Sequence, residues 1–214
     1  MNYIKTTIAL ATIASACAAS HAGEVYGGIG FPGFTLGYSH PYSSVVTLRG
    51  EFAGGLSAAK DGKREGLTYN GSFKSNRVGA YADWHPGGSG FHLTGGLAAS
   101  DIKFDLKSSG GIGTIGGQSV NLTGEFFNVS LKYPTVTPYL GLGYGHKPET
   151  DKGLGFFVNL GATIGKFKVS TDTSIVGKQG VTQAQVDAEV QKVRDSVNKL
   201  SVLPAASIGL TYRF

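Results

Sequence analysis

Cysteine, charge and long apolar runs are all scarce in this chain of 214 residues. Cys17 is its only cysteine, 15% of its residues are charged against 41% hydrophobic, and there is one tryptophan. A typical globular chain is about a quarter charged. With one cysteine there is neither a disulfide framework nor a cysteine-ligated metal site. No run reaches the roughly 20 apolar residues that a helix needs to cross a bilayer. The net charge of +5 comes from basic residues scattered along the chain, whereas a nucleic-acid footprint gathers them in a patch or stripe. What is abundant is glycine, 34 residues of it, without the Gly-X-Y period of collagen. The length fits a single domain.

Residues 1–22 stand apart. Lys5 supplies a positive start, Thr6 to Ser20 form an uncharged stretch rich in Ala and Ile, and Ser20-His21-Ala22 ends on a small residue. This reads as a secretory signal cleaved before Gly23. Cys17 would leave with it. Ala14-Ser15-Ala16-Cys17 lacks the large aliphatic residue that a lipoprotein signal places three positions before its cysteine, so lipidation is not expected. Residues 23–214 are then expected to form one β-barrel domain.

From Val25 onward the pattern is alternation, the period of a strand whose two faces meet different surroundings. Val46, Leu48, Gly50 and Phe52 fall on one face with Thr47, Arg49 and Glu51 on the other. Leu154, Phe156, Val158 and Leu160 alternate with Asn159 in the same way, as do Ile208, Leu210, Tyr212 and Phe214 with Thr211 and Arg213. Eight such runs are expected, at about 25–39, 44–57, 66–84, 90–107, 118–132, 136–146, 154–170 and 202–214. Most exceed the five or six residues of a soluble strand and match the 9–11 or more of a strand crossing a membrane at a tilt. The expectation is an all-β fold, an eight-stranded antiparallel transmembrane barrel. The apolar phase flips between Phe73 and Val78 and between Leu97 and Ile102, which calls either for bulges or for strands leaving the bilayer there.

One stretch has helical period. Val186, Val190, Val193, Val197 and Leu200 recur at spacings of three and four among charged residues, giving an amphipathic helix at about 182–200. Thr182 and Gln185 form a capping box at its start. Lipid-exposed irregular backbone cannot satisfy its polar groups in hydrocarbon, so this insert belongs at the interface, over the barrel mouth or in water.

The chain ends Ile208-Gly209-Leu210-Thr211-Tyr212-Arg213-Phe214, a strand with aromatics where a membrane girdle belongs. Tyr212 and terminal Phe214 resemble the assembly signal of Gram-negative outer-membrane barrels. Val136-Thr137-Pro138-Tyr139-Leu140-Gly141-Leu142-Gly143-Tyr144-Gly145, Gly153-Leu154-Gly155-Phe156-Phe157-Val158-Asn159-Leu160-Gly161 and the helix leading into Leu203-Pro204 resemble a narrower group, the small barrels related to the carbapenem-associated, ornithine-uptake protein CarO. That resemblance implies an eight-stranded barrel in the outer membrane and, for some members, uptake of ornithine and other basic amino acids. The expected partners are outer-membrane lipid, the barrel-assembly machinery and small cationic solutes; the barrel is expected to be a monomer, and the scattered basic residues to bind no nucleic acid.

Eight strands enclose an interior just filled by side chains, whereas aqueous channels belong to barrels of about 16–18 strands. The expected inward set is Arg49, Glu51, Lys74, Arg77, Tyr81, Asp83, Glu125, Asn159 and Arg213. Two readings stay open: a relay for small cationic solutes, which makes the chain a small porin-like uptake protein, or a plug of ion pairs, since buried charges persist only when paired, which makes it a closed structural or adhesive barrel without transport. A lipid-modifying enzyme would need a serine, a histidine base and an orienting acid. His92 is the only mid-strand histidine, and no Gly-x-Ser-x-Gly elbow accompanies it. No catalytic residue, cofactor or metal is therefore expected. The Gly-rich 110–117 stretch lacks the Lys-Ser/Thr ending of a phosphate loop. With these limits and Phe214 in the periplasm, the longer connections 58–65 and 108–117 would also be periplasmic, the reverse of the usual barrel pattern.

Overall fold

A computed structural model describes residues 23–64, 67–148 and 152–214; the leader expected at 1–22 lies outside them. In chain order the strands are β1 (Glu24–Phe31), β2 (Gly33–Ser43), β3 (Val46–Arg64), β4 (Leu67–Trp84), β5 (Phe91–Ser109), β6 (Ile112–Ile115), β7 (Gln118–Asn121), β8 (Phe126–Lys132), β9 (Val136–Tyr144), β10 (Gly153–Ile164), β11 (Lys168–Thr173) and β12 (Val202–Arg213). One helix, α1 (Gln183–Val197), precedes the last strand.

Eight of these strands pair antiparallel in a closed ring. β1 pairs with both β2 and β12, β3 with β2 and β4, β5 with β4 and β9, and β10 with β9 and β12. Two changes to the sequence reading bear on the ring count. The run 25–39 is two strands, turning at Pro32-Gly33 so that Ile29 pairs with Phe34; the alternation runs straight through the turn and hides it. The run 118–132 is not a ring strand, because it divides into β7 and β8, neither of which joins the ring. The two differences offset, so the ring count is still eight. The run 154–170 likewise ends at Ile164, and β11 starts afresh at Lys168.

The corrected order restores the usual asymmetry of connections. Gly23 and Phe214 share one end, where the Phe214 N–H donates to the Gly23 carbonyl at 3.1 Å. That end carries the short connections 44–45, 85–90 and 145–152, while 110–135 and 165–201 emerge from the opposite, far end.

At the far end β5 changes partner. Phe91–Ala99 pairs with β9 and closes the ring, and Lys103–Ser109 pairs with β8, which in turn pairs with β11. The upper parts of β3, β4 and β5 with β8 and β11 thus form a sheet that rises beyond the ring. This explains the phase flips. The register of β4 against β5 is unbroken from Tyr69 to Trp84, so no bulge intervenes; the inner face changes from polar in the ring to Phe73, Phe104, Leu131 and Val169 above it. The bulge is in β3, between Gly54 and Leu56, where Gly55 takes φ 81° and its N–H donates to Asn76 Oδ1 at 3.0 Å. A β-carbon is disfavoured at that φ.

A small head packs on this rising sheet. β6 and β7 form a hairpin through Gly116-Gly117, with φ 60° and 81°, as the tightest hairpin turns require. Ile115, Val120 and Leu122 meet Ile175, Val181 and the α1 residues Val186 and Val190 in a buried cluster, with Phe127 and Val169 against it. Thr182 caps α1: its hydroxyl accepts from the Gln185 N–H, and the Gln185 side chain accepts from the Thr182 N–H at 2.9 Å. The helix therefore covers the head rather than an apolar patch of the ring. Val190→Asp places an unpaired charge in this cluster; limited proteolysis should then cleave within 165–201 while the heat-modifiable mobility of the barrel on gels stays as in the parent.

Candidate functional site in the barrel lumen

Successive side chains of a strand point to opposite faces, and here the outward set is apolar and the inward set polar. Leu154 is 81% exposed and Leu210 66%, with Ile29, Val78, Leu97 and Leu140 also on the outside, so among the described residues nothing covers this band. Inward, Thr35, Thr47, Arg49, Glu51, Arg77, Asp83, His92, Thr94, Asn159 and Thr211 are buried.

Arg49 is the centre of the lumen. Its Nε and Nη2 both donate to Asp83, the latter at 3.2 Å, and its Nη1 donates to Glu51 Oε2 at 3.1 Å. Glu51 also accepts from Arg77 Nη2 at 3.4 Å and from the Tyr26 hydroxyl at 3.2 Å. Thr94 donates to Asp83 at 2.7 Å. The guanidinium carbons of Arg49 and Arg77 lie 5.1 Å and 5.4 Å from the ring centres of Tyr81 and Tyr139, which pack on each other at 4.7 Å. A forked arginine–carboxylate pair is among the stronger polar contacts, and two cations over two aromatic faces fill the space between strands.

Towards the termini a second cluster forms. Glu24 accepts from Arg213 at 2.9 Å, from Ser39 at 3.2 Å and from His146 Nδ1 at 2.7 Å. His85, His92 and His146 are fully buried and their rings follow one another at 5.2 and 5.8 Å. The Asn159 amide stands 3.2 Å from His92 Nε2; with its nitrogen turned to that ring, its carbonyl accepts from Arg49 Nη1 at 3.1 Å. His146 lies in the 145–152 connection, outside the strands. Burial pushes its imidazole down to about 4 against the pull of Glu24, so at neutral pH it contacts Glu24 as a neutral donor and not as half of an ion pair.

On the other side of Arg49, toward the far end, the hydroxyls of Ser75, Tyr81, Ser100 and Thr137 and the Arg77 Nε are buried with no protein partner among the described residues. They sit on adjacent strands: Arg77 is paired with Ser100, and Ala98 with Thr137.

Arg49, Glu51, Arg77, Tyr81, Asp83, Asn159 and Arg213, expected inward, lie on the inner face. Two expected residues do not. Lys74 points outward and pairs with Asp101 at 2.9 Å, because at 3.3 Å per residue and strict alternation it shares the face of Val78 and Asn76. Glu125 lies in the connection from β7 to β8, held by Ser174 and Lys178, since the run that carried it is no ring strand. Glu24, Tyr26, His85 and His146 were missed. The alternation Glu24-Val25-Tyr26 carried the signal for the first two; His85 and His146 are in connections, where period says nothing. A groove of about 530 Å³ lies on the outside, between Leu48 and Leu97 over Gly50, Ala80, Ala82 and Gly95, and is no part of the lumen.

No protein-family model and no curated protein sequence matches the chain. Among solved structures, the crystal structure of Acinetobacter baumannii CarO matches with a TM-score of 0.55 at 23% identity, over 89% of this chain and 97% of that one. In fold the chain resembles CarO. Acinetobacter baumannii CarO2 matches with a TM-score of 0.58 at 21% identity, over 90% of this chain and 98% of the other. The expected likeness to the CarO barrels therefore holds at the level of the fold, over about nine-tenths of the chain.

Two outcomes test the lumen. Arg49→Ala leaves Asp83 and Glu51 as buried carboxylates short of a partner and should lower stability by about 3–5 kcal/mol, whereas Lys74→Ala, at an exposed pair, should change it by about 1 kcal/mol or less; urea unfolding in micelles, followed by Trp84 fluorescence, measures both. As pH falls below about 6.5 the unfolded chain protonates His146 while the folded barrel keeps it neutral until about pH 4. Stability should thus be full above that window and decline through it, with a smaller decline in His146→Gln.

Proposed function

We propose that this chain is a small outer-membrane barrel of porin type whose lumen is closed at rest, and which passes small polar solutes only when the arginine–carboxylate plug parts. The observation that carries this reading is the layer of unpartnered hydroxyls beside Arg77. An unmet buried donor or acceptor is unfavourable by about 1–3 kcal/mol, so a lumen that served only as packing would have no use for Ser75, Ser100, Thr137 and the Tyr81 hydroxyl together. A layer that takes up water or a polar solute has a use for all four. The outward apolar band, the CarO-like fold and the short connections at the terminal end support placement in an outer membrane with the termini in the periplasm. Tyr212 and Phe214, at the last strand's end, fit the signal read by the barrel-assembly machinery.

Arg49, Arg77 and Arg213 meet Glu24, Glu51 and Asp83 in equal number. This balance gives the lumen no bias toward basic amino acids, and we propose small polar solutes without regard to charge. A sealed barrel with no transport is the second reading, favoured by the continuity of the network from Asp83 to Arg77. Uptake of labelled ornithine, arginine and a neutral amino acid into proteoliposomes separates them. Slow uptake by the parent that rises about tenfold or more in Arg49→Ala/Glu51→Ala, roughly the effect of removing 1.4 kcal/mol from the barrier, supports the gated passage. No uptake by either protein, both demonstrably folded, leaves the sealed barrel.

A further inference from the structure

Across four adjacent strands of the rising sheet, four lysines stand directly opposite one another. Lys74 on β4 pairs with Lys103 on β5, Lys103 with Lys132 on β8, and Lys132 with Lys168 on β11. Directly paired residues place their side chains on the same face, and all four are exposed. Two carboxylates answer them: Asp101 contacts Lys74 at 2.9 Å and Asp105 contacts Lys103 at 3.1 Å. No carboxylate is bonded to Lys132 or Lys168 among the described residues. Like charges directly opposite destabilise a sheet. The two aspartates offset part of that repulsion, and an anion from outside the chain would offset the rest.

Height says what that is. Down the same outer face of β4 from Lys74 come Asn76, Val78, Ala80, Ala82 and then Trp84, which is exposed and sits beside Leu93 and Phe91. Ten residues at about 3.3 Å each make about 33 Å along the strand. A tilt of about 40° brings that to about 25 Å of vertical height, the height of the apolar band of an outer-membrane barrel. With the aromatics Trp84, Phe91 and Tyr144 at one boundary of the hydrocarbon, the lysine row falls at the other, the depth of lipid headgroups.

We propose that Lys74, Lys103, Lys132 and Lys168 form a docking row for the phosphate groups of anionic lipid in the leaflet at the far end of the barrel. This rests on the membrane placement proposed above and does not depend on whether the lumen conducts. Lys132 and Lys168 are the principal ligands, since Lys74 and Lys103 already share a charge each with an aspartate. The ammonium groups act as point charges, which take phosphate without the planar geometry that a guanidinium imposes.

The test is lipid retention. The refolded full chain is equilibrated with equal amounts of phosphatidylglycerol and phosphatidylcholine in micelles, and bound lipid is counted by native mass spectrometry. The parent is expected to retain phosphatidylglycerol in preference. Lys132→Gln/Lys168→Gln should lower that preference by about tenfold or more, given about 1 kcal/mol per basic residue at an anionic surface. Lys192→Gln/Lys199→Gln, which removes equal charge from the helix and its end, should leave it unchanged. The same preference in the row variant, or an equal loss in the helix variant, overturns the proposal. So does displacement of the lipid by millimolar inorganic phosphate, which would make a free anion the ligand. Failure of the parent to insert into vesicles would instead bring down the membrane placement itself.

Discussion

Every backbone donor and acceptor along β5 has to be paired, and the strand meets that demand with two partners in succession. At Phe91–Ala99 the partner is β9, which closes the ring; at Lys103–Ser109 it is β8, which opens a sheet above the ring. Tyr133, at the junction of β8 with the turn into β9, makes the change possible. Its N–H donates to Ile102 O at 3.0 Å, and its buried hydroxyl reaches Thr163 on β10. The gap between the two partners is thus bridged by Tyr133 and by Thr135, whose carbonyl accepts from the Ser100 N–H at 2.7 Å. Had β5 stayed with β9 throughout, β8, β11 and the head would have no edge to join.

The same division sorts the energetics. Within the ring the inner face is short of apolar side chains, and cohesion there comes from Arg49 and its carboxylates. Such a network is not an efficient source of stability, because desolvating the charges offsets most of their attraction. Its effect is to fix one arrangement: Arg49 alone touches β1, β3, β4 and, through Asn159, β10. Above the ring the logic is the ordinary one of apolar burial, with Ile115, Val120, Ile175, Val186 and Val190 excluding water together. The two regions can therefore fail separately.

The sequence made the ring legible because period two leaves a mark in every strand that separates a polar lumen from an apolar exterior. Arg49, Glu51, Arg77, Asp83, Asn159 and Arg213 could be assigned to one face from that mark alone. Pro32-Gly33 defeated it because both flanking strands keep the same alternation, so a tight turn looks like one long strand. Glu125 was misplaced for the opposite reason: 118–132 alternates well enough to pass for a ring strand, although its halves serve a hairpin and a sheet edge. His85 and His146 left no mark, since their burial comes from connections folding back over the terminal end, a tertiary fact with no local period.

The far-end sheet also settles what the phase flips meant. An inward face that stays polar all the way up belongs to a strand with water or charge behind it throughout. On β4 and β5 the inward side chains pass from Arg77 and Ser100 through Ser75 and Ile102 to Phe73 and Phe104, while the outward ones pass from Val78 and Leu97 to Lys74 and Lys103. Both faces invert within the same two or three residues. A bulge would invert them by slipping the register, and the register there does not slip. What changes is the surroundings: below the inversion the outside is apolar and the inside is polar, and above it the outside is polar and the inside carries apolar side chains. One uninterrupted pair of strands therefore changes the polarity of both its faces at a single level, and the residues on either side record where that change lies.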